Sequence, residues 1–588
     1  MAGVGYTDER KAEIISTFKI HRSFAGTARA LGVPGSRHPI RSVIDDWKGT
    51  PEGKEWFRNE ALVSVGLPPA TPEPPASESP PATRSSAPLG LFDPEPQPIP
   101  LKEALATGWK PGVYMFTSEQ NNTKIHDAFW ENLLALAEYD AGQLIVGRFV
   151  YRKDAKGQRG QEKKGDLSHE KGANGIIWDD RTNKYAVDTK VQIAPDLFWC
   201  GAMNILPTAD RPLTGMDNFT GTSSAIFPHP KVALESVATS KHAKTKMNYT
   251  TGAVTETNYI QRKAGQKAEF HHVIGALIVE VDEDGEWFAR QINASSDGSF
   301  YDLDRFVSRG RVQDGHAVEV ITWGDIHEFH LEDWMKETCW GRDGILEQLR
   351  PREQHFHDLL DFNSRSHHDK KDAHEMYKKF VAGQDRVKNE LINVIAFLNF
   401  AERQWCQSYV IESNHDNAYL RWVKESDHRE DPPNATFLLR SQLECYEQMD
   451  AANDNFHLFG WGLKHLGYTG TAQFLDEDDD HIILPTRGGG IQCAMHGHLG
   501  PNGSRGNARA FTKVGSKINV GHMHTACIMD GVYVAGVTGN LDQGYNKGMS
   551  SWSHSFIITY KNGKRAMVTI MPKTGRWRGR AKELALAA

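Results

Sequence analysis

Between residues 318 and 524, short apolar runs end repeatedly in clusters of Asp, Asn and His. Residues 318–322 lead into Asp325-Ile326-His327, and residues 409–411 into Ser413-Asn414-His415-Asp416. Residues 491–495 lead into His496-Gly497-His498, and residues 517–520 into Gly521-His522-Met523-His524. Asp358 follows Gln354-His355-Phe356-His357 in the same way. Runs of this kind read as buried strands. One polar loop of this type is ordinary, and one histidine in it reads as a satisfied structural residue. Their recurrence at strand ends is what restricts the fold. Strands alternating with helices, each strand closing on a polar group, predict an α/β protein with its site along one edge of the sheets.

The chemistry of the set is oxygen and imidazole, without thiolate. The strand-end groups are Asp325, His327, Asp358, Asn414, His415, His496, His522 and His524. The spacing at 325/327 and at 522/524 puts both side chains on one side of an extended segment. Such donors suit Mn²⁺, Fe or Zn²⁺ rather than a cysteine zinc site. The six cysteines form no C-x-x-C pair, so free thiols in a reducing compartment are expected.

The ordered series D-x-H, Asp, Asn-His-Asp, His and Gly-His-x-His resembles the calcineurin-like metallophosphoesterase superfamily over residues 317–571. The resemblance implies an αββα sandwich holding two divalent metal ions, with Mn²⁺ expected and Fe or Zn²⁺ compatible. It implies Asp325, His327 and His524 as ligands of one ion, and Asn414, His496 and His522 as ligands of the other. Asp358 would bridge them. His415, paired with Asp416, would be the acid at the leaving oxygen. The implied reaction is in-line attack on a phosphate ester by a metal-bridging hydroxide. The superfamily usually has glycine before the bridging Asp and before the Asn; His357 and Ser413 stand there instead. The whole chain is also similar to phage-encoded metallophosphoesterase nucleases of the DNA-transfer type.

The remainder divides by composition. Residues 1–55 carry eight Lys/Arg against five Asp/Glu over their first 50 positions. Helices are predicted over residues 8–21, with Ala12, Ile15 and Phe18 inward, over 24–31, and from 36 to 47, with Ile40, Val43 and Ile44 inward. This is a helix-turn-helix pattern that would place Arg37, His38 and Arg41 in the major groove. Residues 56–104 form a linker, with twelve prolines between 68 and 100. Residues 105–316 read as a separate mixed α/β or β-rich domain. Its strands at 275–281 and 287–292 are joined by an Asp-Gly turn. A continuous helical stretch is expected over 372–404, and hairpins at Asp530-Gly531 and Asn562-Gly563. Residues 317–588 complete the metallophosphoesterase domain and a basic tail.

The net charge of −7 argues against a simple nucleic-acid coat, but it is unevenly spread. Residues 481–529 contain no acid, yet hold Arg487, Arg505, Arg509, Lys513 and Lys517. Arg576, Arg578 and Arg580 flank Trp577 in a stretch, 561–582, that also lacks acids. A basic rim of this kind suits a polyanion. DNA is therefore the expected partner and a DNA nuclease the expected activity. The alternatives are a phosphoprotein or nucleotide phosphatase, and a DNA-tethered scaffold with a structural metal site. Neither a signal peptide nor an 18-residue apolar run is seen, so a cytoplasmic location without membrane contact is expected, the host cytoplasm if phage-encoded. Oligomeric state stays open, with a homo-oligomer compatible.

Overall fold

The computed structural model describes residues 7–21, single positions from 27 to 56, and residues 108–151, 176–241, 243–366, 369–486 and 489–579. Two compact units emerge, Met1–Pro96 and Gln97–Ala588. In the first, the helix Asp8–His21 forms as expected. Its buried face is Ile14 and Phe18, packed with Val43, Ile44 and Trp47. Ala12 is exposed, one position off the predicted stripe. Arg37, His38 and Arg41, most of the second and third predicted helices and the linker at 61–104 lie outside the described residues.

The second unit is mixed α/β. Its central six-stranded sheet has the order Gln473–Leu475, Gln407–Ile411, Glu353–His357, Val320–Thr322, Ser555–Thr559, Arg565–Thr569. The first four strands run parallel, and the last two close the edge as the hairpin at Asn562-Gly563. Alternation along each strand feeds two cores. Ile321, Phe356, Val410, Phe556 and Ile558 pack among the helices, with Leu391, Val394 and Leu398 of helix Val387–Ala401. Val320 points the other way, onto Ile483, Ile491 and Cys493, and Ile557 and Met567 meet Ile528 and Tyr533. These partners lie in or beside a ten-stranded sheet. The central sheet is thus covered by helices on one face and by a second sheet on the other.

That ten-stranded sheet overturns the predicted boundary at 316/317. Five of its strands, from Ile482–Ile483 to Val532–Val534, follow residue 317, and five, from Lys190–Ala194 to Lys246–Thr250, precede it. They join where Cys527 pairs with Glu235 and Ile528 with Leu234. A further four-stranded sheet contains the predicted pair Gly275–Val281 and Trp287–Asn293. The helical stretch over 372–404 is two helices, Ala373–Val381 and Val387–Ala401. Gly383, at φ 68°, ends the first in the left-handed conformation that glycine adopts without strain. No helix among the described residues is long and apolar enough to cross a membrane.

Candidate metal centre

The carboxyl ends of the parallel strands deliver the site, the usual place for one in an open α/β sheet. The loops after Val320–Thr322 and Glu353–His357 are tied by Ile326 N–H donating to His357 O (2.9 Å) and His327 N–H donating to Asp358 O (2.7 Å). The turns are abrupt. His327, Asp358, His522 and His524 all have positive φ, between 46° and 67°. Each such residue costs on the order of 1 kcal/mol or more, a strain that collects at functional sites. Gly521 is required sterically, because a Cβ there would lie 2.1 Å from Asp325 Oδ1.

Asp325, His327, Asp358 and His524 form one buried cluster, and Asp358, His496 and His522 form another, so Asp358 belongs to both. His524 Nε2 lies 2.9 Å from Asp325 Oδ2 and 3.0 Å from His327 Nε2. Asp358 Oδ2 is 3.2 Å from His496 Nε2 and 3.6 Å from His327 Nε2. Ligands about 2.1 Å from a common cation sit roughly 3–3.5 Å apart, so these spacings fit metal donors. The hydrogen-bond inventory agrees. Both Asp325 oxygens, Asp358 Oδ1, Asn414 Oδ1, His496 Nε2 and His524 Nδ1 are buried without a hydrogen-bond partner. Lone pairs in surplus are what a cation would satisfy.

The electrostatics carry the same excess of negative charge. Burial disfavours a charged His327 ring, but the Asp361 hydrogen bond and the Asp358, Asp361 and Asp325 carboxylates outweigh it and raise its pKa to about 9. Burial pushes the Asp325 carboxyl up, yet His496 and His524 hold it down at about 2. His357 is buried with Nδ1 3.4 Å from His496 Nδ1. Desolvation, aided by His496, drops it to about 3, so it packs beside the cluster as a neutral ring.

His415 lies against the first cluster, its ring centroid 4.8 Å from that of His327. The predicted pairing with Asp416 is not formed. His415 Nδ1 instead lies 2.9 Å from the Asp361 carbonyl oxygen and 3.8 Å from its Oδ1. Asp416 turns away to accept from Leu360 N (3.0 Å) and to bond Ser413 Oγ (2.9 Å). Burial, reinforced by the Asp358 charge, raises its pKa to about 7. Asp416 therefore braces the 358–361 loop against the 413–416 loop, with Ser413 as its partner. Asp361 is a site residue that the sequence reading left without a role. Its Oδ1 also meets His327 Nδ1 at 3.1 Å, and its Oδ2 lies 3.6 Å from His330. The signal available was its place three residues after Asp358.

No family model matches the chain, and no solved structure matches it. It is 38% identical over 471 residues to protein A1 of Escherichia phage T5, an alignment covering 77% of this chain and 81% of that protein. The chain belongs to the phage T5 protein A1 family.

In this A1-family chain the C-terminal arginines are not a free basic rim, which corrects the expectation for two of them. Arg576 pairs with Asp282, and Arg578 donates to Gln348, while Trp577 between them is buried. A guanidinium packed into the body needs such acceptors, and once engaged it has few donors left for phosphate. Arg580 lies outside the described residues, as does Arg487. Arg505, Arg509, Lys513 and Lys517, between His498 and His522, are exposed. An aromatic edge adjoins the centre. Trp552 stacks edge-on with His524 at 4.2 Å, and Tyr545 lies 5.8 Å from Trp552. Burial raises the Tyr545 pKa, helped by Asp358, Asp361 and Asp325.

Proposed function

We propose that this chain is a phage-encoded, two-metal-dependent phosphodiesterase that cuts DNA in the host cytoplasm. The observation that carries the reading is the pair of His/Asp clusters sharing Asp358, buried but for half-buried His522, with six buried donor atoms, one of them Asn414 Oδ1, lacking hydrogen-bond partners. On this reading Asp325, His327 and His524 hold one ion, Asn414, His496 and His522 the other, and Asp358 both. The central sheet between helices and a second sheet is compatible with the metallophosphoesterase sandwich that this reading requires. Bound Mn²⁺ would neutralise phosphoryl charge and activate water.

The chain's own residues supply the rest. His415 gives a proton to the leaving alkoxide, and the Asp361 carbonyl fixes its ring by engaging Nδ1. Arg505, Arg509, Lys513 and Lys517 hold the DNA backbone. The N-terminal unit, through Arg37, His38 and Arg41, tethers the enzyme to duplex DNA and raises its local concentration. A nucleotide or phosphoprotein phosphatase is the second reading, favoured by the internal engagement of Arg576 and Arg578.

The test presents plasmid, single-stranded DNA, RNA, a free nucleotide and a phosphopeptide side by side, with Mn²⁺ and with chelator. Mn²⁺-dependent DNA cleavage that weakens as salt rises is expected. Turnover confined to the nucleotide or the phosphopeptide would replace the nuclease with the phosphatase.

A further inference from the structure

A third cluster of ligand-type side chains sits at the opposite end of strand Glu353–His357 from Asp358. Glu353, His355 and His481 offer donor atoms that all lie within 4.8 Å of one another. Glu353 and His355 are two apart and share one face of the strand. Asp358 is five residues beyond Glu353, roughly 16 Å along an extended chain, so the cluster is separate from the metal centre.

Three observations distinguish it from an ordinary salt bridge. Glu353 is divided, with Arg352 donating to Oε1 (2.6 Å) and Oε2 facing the histidines. His481 Nε2 is 3.0 Å and His355 Nε2 3.6 Å from that same oxygen. A His481–Glu353 ion pair would explain the first distance, but not His355. That ring has no solvent exposure, and neither of its nitrogens has a hydrogen-bond partner. A buried polar atom left unpaired costs about 1–3 kcal/mol, and here it lies within 4.8 Å of the other two ligand-type atoms. The Tyr409 ring packs against that of His481, centroids 4.1 Å apart and planes tilted by 34°.

We infer that Glu353, His355 and His481 form a divalent transition-metal site, with zinc as the fitting ion. Two imidazoles and one carboxylate are zinc donors, and spacings of 3.0 and 3.6 Å bracket the roughly 3.3 Å edge of a tetrahedron with 2.0–2.1 Å bonds. The ion would join two layers. Glu353 and His355 belong to the central sheet, whereas His481 immediately precedes Ile482–Ile483, an edge strand of the ten-stranded sheet. The site is thus a cross-link between sheets, and it goes beyond the proposed catalytic centre without depending on it.

The full chain, stripped with chelator, is loaded with Zn²⁺ alone, desalted and analysed for metal. His481→Gln, chosen because its ring reaches the surface, should hold one ion fewer per chain than the wild type. Zn²⁺ should raise the melting temperature of Asp358→Asn protein by several degrees and leave that of the double variant with His481→Gln unmoved. Equal metal content in wild type and His481→Gln, with equal zinc-induced shifts, would overturn the site. Should His481→Gln fail to fold, Co²⁺ added to Asp358→Asn decides the matter. Intense visible absorption of tetrahedral cobalt supports the site, and its absence refutes it. Because Asp358→Asn removes the shared ligand of the catalytic reading, failure of that reading leaves this arm interpretable.

Discussion

Two buried charge clusters in this molecule set carboxylates against nitrogen side chains, guanidinium in one and imidazole in the other, to opposite ends. In one, Arg290 donates to Glu280 (2.6 Å) and to Asp302 (3.0 Å), and Arg305 joins Asp302 to Asp140. None of these side chains leaves a buried nitrogen or oxygen unpartnered. In the other, around Asp358, carboxylates and imidazoles crowd together with oxygens and nitrogens to spare. Both clusters are shielded from solvent, so burial does not separate them. The balance of donors and acceptors does. A network closed on itself fixes a fold, whereas one with surplus lone pairs is completed by something it binds.

Breaking the open cluster should produce the largest effect. Asp358→Asn removes the shared charge and is expected to lower phosphodiesterase turnover by ~10³-fold or more, since bound ions supply several kcal/mol of transition-state stabilisation. Circular dichroism should remain that of the wild type, and metal analysis should show the loss. Next is His415→Ala, with an expected decrease of ~10²–10⁴-fold on alkyl phosphodiesters and a smaller one on aryl esters, whose leaving groups need little protonation. Equal losses on the two substrates would take His415 out of the acid role.

The closed cluster should respond in stability rather than chemistry. Arg290→Met leaves Asp302 with Arg305 alone and takes the guanidinium from Glu280, and should cost about 3 kcal/mol in urea unfolding, with metal content unchanged. Its pH dependence has a definite sign. Burial alone would raise the Asp302 pKa, but Arg290 and Arg305 prevail and lower it to about 2. The unfolded carboxyl titrates near 3.9, so the native state binds fewer protons between those values. The network's contribution is therefore complete above about pH 4 and is lost as pH falls towards 2, and the gap between wild type and Arg290→Met should narrow over that range. The smallest effect is expected from Arg576→Gln. It should cost about 1 kcal/mol through Asp282 and leave the salt dependence of DNA binding unaltered.

Local pattern made much of this visible in the sequence. Lys517–Val520 and Gly275–Val281 are apolar runs bounded by turn residues, and they form strands over the expected residues. The grouping of Asp325, His327, Asp358, His496, His522 and His524 was legible because each stands just beyond a strand end. The role of Asp361 was not, since a backbone carbonyl holding His415 leaves no trace in residue type. The engagement of Arg576 and Arg578 was hidden for a related reason: a run of positive charge does not reveal partners 294 and 230 residues earlier. The supposed boundary at 316 failed because pairing of Glu235 with Cys527 is a wholly non-local event.

That pairing has a consequence for how the chain is made. Strand Leu234–Val237 leaves the ribosome roughly 290 residues before the strand that covers its free side, a delay of about 15–60 s at ordinary bacterial elongation rates. Throughout that interval its backbone donors and acceptors form an uncovered edge, the kind of surface on which nascent chains pair with one another. A polysome translating this message carries several such edges at once. Slow synthesis or a stalled ribosome should therefore favour aggregation of this protein, and fragments ending before residue 527 should be recovered mainly as insoluble material.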